Sequence, residues 1–374
     1  MDTRRFSARA PFLILVVAIA LSGLTYSQKP PAWKGSIAKE GGIVVVKNPA
    51  KPLYGPEAFS LVEELAIGGD AGPDALLASI TSIAEGPDGA IFVLDQEDLN
   101  VKAFDRAGKY LRTISRQGQG PGELSAPISV HWTAAGELAV VDARRRILFF
   151  DAAGKHLRDV PAVDLSFFDI RPDAKGNYYG YFVSVFDENP RYELRKLDGA
   201  LKALFPIESS PTQDAARDGF DPFFPVLRWA VLPGGGVVCG HAVKSELRVY
   251  DAAGKLVRRI GMVREPVAVA KEDIDERTEG MAPETLKSLK VPGHYPSFRY
   301  ILSDDAGRIY VLCWERPPGR KGYYVDVFDP EGRYVVRAAV PDKQPLILGD
   351  RLYAAEEDAE GNPVLKRYKI VWKL

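Results

Sequence analysis

The stretch DGAIFVLDQEDLNVKAFDRAGKYL (Asp88–Leu111) holds a glycine turn, an apolar run, an aspartate, a polar turn and a second apolar run, then Phe-Asp and another glycine turn. The same frame follows in AGELAVVDARRRILFFDAAGKHL (Ala135–Leu157). It returns in ELRVYDAAGKLV (Glu246–Val257) and in AGRIYVLCWERPPGRKGYYVDVFDPEGRYV (Ala306–Val335). A weaker copy is KGNYYGYFVSVFDENPRYELRKLDGAL (Lys175–Leu201). The turn aspartates set the period: Asp105 to Asp151 is 46 residues, Asp151 to Asp198 is 47 and Asp198 to Asp251 is 53. Asp251 to Asp329 is 78 residues, one period plus an insertion. A period of roughly 40–50 residues, with four short strands per unit, is that of a β-propeller blade. A helical repeat would place apolar residues every 3.6 positions, whereas these runs alternate by two.

Five blades centre on Asp105, Asp151, Asp198, Asp251 and Asp329. The last segment, Pro345–Leu374, supplies about three more strands. AFSLVEELAI (Ala58–Ile67) is the expected fourth, so that both chain ends share one blade and no edge is left open. The reading is an all-β, six-bladed propeller over residues 58–374, closed by an N-terminal strand. Residues 28–57 form an extension, in which GGIVVVKNP (Gly41–Pro49) reads as a strand without an assigned partner. KEDIDERTEGMAPETLKSLK (Lys271–Lys290) reads as a short helical insertion between blades 4 and 5.

The chain begins MDTRRFSARA, continues PFLILVVAIALSGL (Pro11–Leu24), and then offers small residues at Thr25 and Ser27. Basic, apolar, small is the order of a secretory signal. The apolar run falls short of the ~20 residues that span a bilayer, so residues 1–27 are expected to be removed and the mature protein to be periplasmic or secreted. Contact with a membrane would then come only through an uncleaved signal. The 374 residues carry a formal net charge of −1, which gives no field favouring nucleic acid. Export permits a disulfide between the two cysteines, Cys239 and Cys313, but two buried thiols are expected instead.

Within a propeller blade the A–B and C–D turns lie on one face, the B–C and D–A connections on the other. Here the first set is tight, as in Pro87-Asp88-Gly89 and Ala252-Ala253-Gly254. The second set is long and varied, including Phe205–Pro225, Cys313–Tyr324 and the insertion after Gly261. Function is expected on that long-loop face. The glycine-rich connection SRQGQGPGELSAP (Ser115–Pro127) belongs to it. No helix follows these glycines, so a phosphate cradle lacks its strand-to-helix context. They read as a tight crossing between blades, which could also offer Gln119 and Glu123 to a pocket.

Arg228, Trp229, His294, Arg299, Trp314 and Glu315 map near the long-loop face, and His241 maps to a B–C loop. An arginine–aromatic cluster could hold an anionic or sugar-like ligand through charge-assisted hydrogen bonds and stacking. Equally, Trp229 could pack between blades and Arg228 could serve a core ion pair. His131 falls in an inner strand, and His156 is expected to be solvated. Asp95 and Asp142 recur six residues after a turn glycine and read as acceptors of backbone hydrogen bonds. No His-x-His pair, Gly-x-Ser-x-Gly elbow or Cys-x-x-Cys-His motif occurs. No cofactor or metal is evident from the residues.

The combination IFVLD…VKAFDRAGKYL…GQGPGEL…P (Ile91–Pro127) resembles exported bacterial six-bladed propellers related to NHL-repeat and TolB-like proteins. NPAKPLYG (Asn48–Gly55) resembles their opening segment. The likeness implies the fold and little chemistry, because such propellers bind, scaffold or catalyse. Later blades depart from it: Cys313 stands where Asp95 and Asp142 stand, and blade 4 reads VVCGH (Val237–His241). The expectation is a monomeric binding or scaffolding protein for a protein, peptide or glycan. The alternative implied by the resemblance is a metal-assisted hydrolase or lyase in the central channel, lactonase-like or NHL-lyase-like, using His241, His294 and a carboxylate.

Overall fold

The computed structural model describes residues 31–68, 72–144, 146–161, 167–184, 190–319, 321–341 and 344–374. The expected signal segment, 1–27, lies outside them. The chain enters with β1 (Ser36–Glu40), β2 (Ile43–Lys47) and β3 (Phe59–Ile67). Blade 1 is β4 (Ile80–Glu85), β5 (Ile91–Asp95), β6 (Asn100–Phe104) and β7 (Tyr110–Ile114). Blade 2 is β8 (Pro127–Trp132), β9 (Leu138–Asp142), β10 (Arg146–Phe150) and β11 (His156–Pro161). Blade 3 is β12 (Phe167–Pro172), β13 (Tyr178–Ser184), β14 (Arg191–Leu197) and β15 (Ala203–Pro211), followed by the short helix α1 (Ala215–Asp218). Blade 4 is β16 (Leu227–Val231), β17 (Val237–His241), β18 (Glu246–Tyr250) and β19 (Leu256–Gly261). The insertion then forms α2 (Lys271–Thr278) and α3 (Pro283–Lys287). Blade 5 is β20 (Tyr300–Ser303), β21 (Ile309–Leu312), β22 (Tyr323–Phe328) and β23 (Tyr334–Val340). The last blade is β24 (Leu346–Leu348), β25 (Arg351–Glu357) and β26 (Pro363–Trp372), with β3 as its outer strand.

The protein is a six-bladed β-propeller. Each blade is an antiparallel meander, and the inner strands meet in sequence around the axis. β4 contacts β8, β8 contacts β12, β16 contacts β20, β20 contacts β24, and β24 returns to β4. Blades 3 and 4 meet where Arg171 of β12 lies 4.8 Å over the Trp229 ring of β16. β3 pairs antiparallel with β26 from Phe59↔Trp372 to Ile67↔Leu365, so the N-terminal strand closes the ring.

The near-continuous apolar strands follow from this geometry. All five residues of β5 are buried. Phe92 and Leu94 join the core shared with blade 2, while Ile91 and Val93 join the core shared with the last blade. A strand between two neighbours buries both faces, and period-2 alternation sorts its side chains between two cores.

The recurrent aspartates hold the frame. Asp105, Asp151, Asp198, Asp251 and Asp329 each accept the N–H of the residue four positions on, closing the C–D turn. Asp95 accepts from Ala78 (2.8 Å) and Ser79 (3.0 Å), and Asp142 from Ser125 (2.8 Å) and Arg144 (2.9 Å). These two carboxylates bind the chain as it turns from strand B to C, and also clasp the segment entering strand A.

The extension does more than the sequence implied. β1 and β2 form a hairpin, and β2 pairs in parallel with β19, so the blade 4 sheet has six strands. Asn48 follows directly. Its amide nitrogen donates to the Gly261 and Gly332 carbonyls at 3.2 and 2.9 Å, and its oxygen accepts the Tyr334 N–H at 2.7 Å. One buried side chain therefore ties blade 4 to blade 5. Both cysteines are buried and unpaired.

Replacing Asn48 with Ala strands a buried N–H and a buried carbonyl, so Asn48→Ala is expected to lower stability by about 2–4 kcal/mol. Denaturant unfolding should show this, with Lys51→Ala, an exposed neighbour, shifting the midpoint by no more than about 0.5 kcal/mol.

Candidate functional site

The starts of the A strands, the ends of the B strands and the starts of the C strands ring one end of the axis. A cavity of about 570 Å³ opens there. Blade 5 contributes Arg299, Tyr300, Trp314 and Tyr323; α2 contributes Asp273, Glu276 and Arg277; Thr81 and Gln96 of blade 1 lie across it. The α2 residues have i, i+3, i+4 spacing, which sets them on one helix face. A second crevice of about 20 Å³, lined by Arg228, shares Arg277 and Trp314 with the first.

The insertion is fixed to the ring by aromatic packing. Tyr295 stacks on Trp314 with centroids 4.2 Å apart and planes 3° from parallel. Phe223, from the long connection before blade 4, meets both edge-on at 5.2 and 5.7 Å. Ile274 of α2 packs on this trio. The Tyr295 hydroxyl donates to Asp273, and so does Arg316. The two longest connections are also zipped to each other: Phe220 N–H donates to the Ser288 carbonyl and Lys290 N–H to the Phe220 carbonyl, both at 2.8 Å. The expected helical insertion thus forms a wall of the mouth.

Three guanidinium groups meet at this wall. Arg299, only 7% exposed, lies 3.8 Å over the Tyr323 ring and 4.8 Å over Trp314. Its Nε and Nη1 have no hydrogen-bond partner, and neither does the Trp314 Nε1. Arg228 lies 4.6 Å over Tyr300. Burial pushes the Arg228 pKa down, and Arg277 and Arg299 push it further the same way. Arg277 donates to the Pro222 carbonyl at 2.8 Å and faces Phe223 and Trp314. The two carboxylates of the lining do not neutralise this group: Asp273 is bonded to Tyr295 and Arg316, and Glu276 is itself partnered.

Of the residues singled out in the sequence, the structure brings Arg228, Arg299 and Trp314 together. Trp229 points the other way, into the core between blades 3 and 4. Glu123 folds back on its own loop, accepting from Gly120 N–H at 3.0 Å and Arg116 Nε at 2.9 Å, which hold its carboxyl below the usual range. A Cβ on Gly118 would fall 2.0 Å from that carboxylate, which accounts for one glycine. Gly122, at φ +73°, sits against His156, whose ring would be 2.8 Å from an added Cβ. His156 is accordingly half-buried rather than solvated, bonded to Asp159 at 2.7 Å. Gln119, Glu123, His241, His294 and Glu315 line neither cavity. His241 reaches the Ser209 carbonyl, His294 is exposed, and Glu315 accepts from Arg337 at 2.7 Å. Tyr300, Tyr323, Asp273 and Arg277 were not singled out. The i, i+3, i+4 spacing in α2 and the strand-start positions of the tyrosines were the available signals. Among the described residues, no group of three or more His, Cys, Asp or Glu side chains could hold a metal ion.

Residues 73–208 match the family model DUF5128, described as a 6-bladed beta-propeller. No functionally curated protein matches the sequence. Among solved structures, the chain is similar to a Bacteroides fragilis protein of proposed export, at 13% identity over 85% of this chain and 96% of that one, with a TM-score of 0.55. It is also similar to a Bacteroides vulgatus member of the duf4221 family, at 13% identity over 85% and 100%, with a TM-score of 0.53. At these identities the likeness is one of fold.

Deeper in the ring, His131 of β8 bonds to Ser129 Oγ at 3.0 Å and lies 3.9 Å from Asp169, which Arg171 engages at 2.6 Å. Burial lowers its pKa from 6.5 to about 4; Asp169 opposes that shift and Arg171 adds to it. The folded protein therefore holds this ring neutral where the unfolded chain protonates it. Its contribution to stability is complete above pH 6.5 and is lost as pH falls toward about 4. His131→Gln is expected to flatten the stability–pH curve across that window. An NMR titration of the wild-type ring should show a midpoint near 4, and a midpoint near 6.5 would contradict the burial argument.

Proposed function

We propose that this six-bladed propeller is an exported binding protein. It captures a protein, peptide or glycan on its long-loop face, taking a compact group of the partner into the cavity at the channel mouth. One observation carries the reading: the cavity is about 570 Å³ and is walled by aromatic rings, with Trp314 stacked on Tyr295, and by the buried guanidinium of Arg299 held over Tyr323. Ligand pockets commonly enclose roughly 300–1,000 Å³, with a few placed polar groups among apolar and aromatic walls. Preformed walls cost little ordering on binding. Export is supported by the basic, apolar, small order of residues 1–27, and a structurally similar Bacteroides fragilis protein is also of proposed export. The metal-assisted alternative finds little support, because His241 and His294 line neither cavity.

The mature chain, immobilised and probed with peptide and glycan arrays, is expected to retain a restricted set of partners. Trp314→Ala and Tyr300→Ala should each weaken retention about 10-fold or more, as truncation of a buried aromatic anchor does. Arg158→Ala, on the outer strand of blade 2, should leave it unchanged. Retention that survives both aromatic substitutions would place binding elsewhere.

A further inference from the structure

We infer that the mouth is built to read a carboxylate on its ligand, and that Arg299 is the residue that reads it. This rests on the binding function proposed above and names the chemistry of the group that enters.

The argument starts from what surrounds Arg299. Its guanidinium lies over Tyr323 at 3.8 Å and over Trp314 at 4.8 Å. Cation–π attraction to the two rings holds the guanidinium without supplying hydrogen-bond acceptors to it. Two nitrogens, Nε and Nη1, are buried and bond to nothing. A buried donor without an acceptor costs free energy, and a buried charge without a partner costs more. Native structures rarely leave such a group unmet unless something else supplies the acceptor. Arg299 also lines the cavity, and its third nitrogen, Nη2, is not one of the enclosed atoms, so an acceptor entering the cavity can meet the guanidinium there.

The charge balance points the same way. Arg228 and Arg299 have no ion-pair partner among the described residues, and Arg299 with Arg277 disfavours the charge on Arg228. Asp273 is already held by Arg316 and Tyr295, and Glu276 is partnered. An incoming anion would relieve the repulsion between the arginines and supply the missing acceptors at once. Nη2 shares one edge of the guanidinium with Nε and the other with Nη1, so a carboxylate that takes two parallel N–H···O bonds uses Nη2 and one of them. The Trp314 Nε1 nearby is likewise without an acceptor. With Tyr300 and Tyr323 in the lining, the carboxylate is expected on a compact body with a flat or apolar side that can lie on the rings.

Calorimetry on the mature chain tests this with matched probes: galacturonate against galactose, glucuronate against glucose, and N-acetylglycine against its amide. Inorganic phosphate is titrated alone as the competing anion. At least one acid is expected to bind where its neutral counterpart does not, which also tells a sugar acid from a peptide-like carboxylate. Arg299→Gln should weaken that acid about 10- to 100-fold, the usual effect of losing a charge-assisted pair. Arg299→Lys keeps the charge without the fork, and should recover only part of the loss while guarding against a folding defect. Acid and neutral members binding equally, no acid binding, phosphate binding more tightly than every acid, or Arg299→Gln leaving affinity unchanged would each overturn the assignment. Array partners lost with Trp314→Ala but indifferent to Arg299→Gln would leave the binding function standing without it.

Discussion

Everything in this molecule depends on β3 reaching the outer edge of β26. A blade of this sequence is apolar on both faces, so each blade is stable only between two others. A linear row of six would leave two end faces in water and two strand edges unpaired. Pairing Phe59–Ile67 with Leu365–Trp372 builds the last blade from both ends of the chain. The mouth cavity inherits this dependence. Its blade 5 side, with Arg299 and Trp314, faces Thr81 and Gln96 of blade 1 across the last blade, which contributes Gln344 and Ala355. The Tyr300 hydroxyl donates to Gln344 across that boundary at 3.3 Å. Lining groups more than two hundred residues apart in the chain become neighbours because the ring is shut.

The fold was legible because its signals are local and repeated. Turn aspartates bond to backbone a few residues away, and alternation sorts side chains within a single strand. Both leave their mark at fixed spacing. The site was only partly legible, since it is made where the repeat is broken. Arg228 and Trp229 show the limit well. They are adjacent in the chain, and a strand sends adjacent side chains to opposite faces. Arg228 therefore meets Tyr300 of blade 5, whereas Trp229 meets Arg171 of blade 3. Position near the long-loop face was readable for both, but not which neighbour each would face. Glu123 failed differently. Its glycines give it room to turn back and bond its own loop, so a lone carboxylate that looked available is spent locally. Docking of α2 rests on Tyr295 stacking with Trp314, a contact between non-repeating segments that leaves no period to detect.

The substitution of Cys313 for the blade aspartate shows how the insertion was accommodated. In blades 1 and 2 the connection into strand A is shorter than the insertion before blade 5, and Asp95 or Asp142 binds its backbone N–H groups. Blade 5 is entered by the long insertion instead. Its carboxylate sits one strand over, at Asp326 of β22, and meets Arg264 from the start of the insertion at 2.8 Å. Both side chains are nearly buried, so each requires the other. The Cys313 thiol contacts both Arg264 and Asp326, and burial with the nearby Asp326 charge pushes its pKa up to about 12. The thiol therefore stays neutral and adds no negative charge to the pair.

The acidic residues around the mouth are engaged one by one. Asp326 is engaged by Arg264 and by the Tyr334 hydroxyl, Glu315 by Arg337, and Asp273 by Arg316 and Tyr295. Each of these carboxylates has its own partner. The rings of Tyr323 and Trp314, 3.8 and 4.8 Å from the Arg299 guanidinium carbon, hold that group by cation–π attraction.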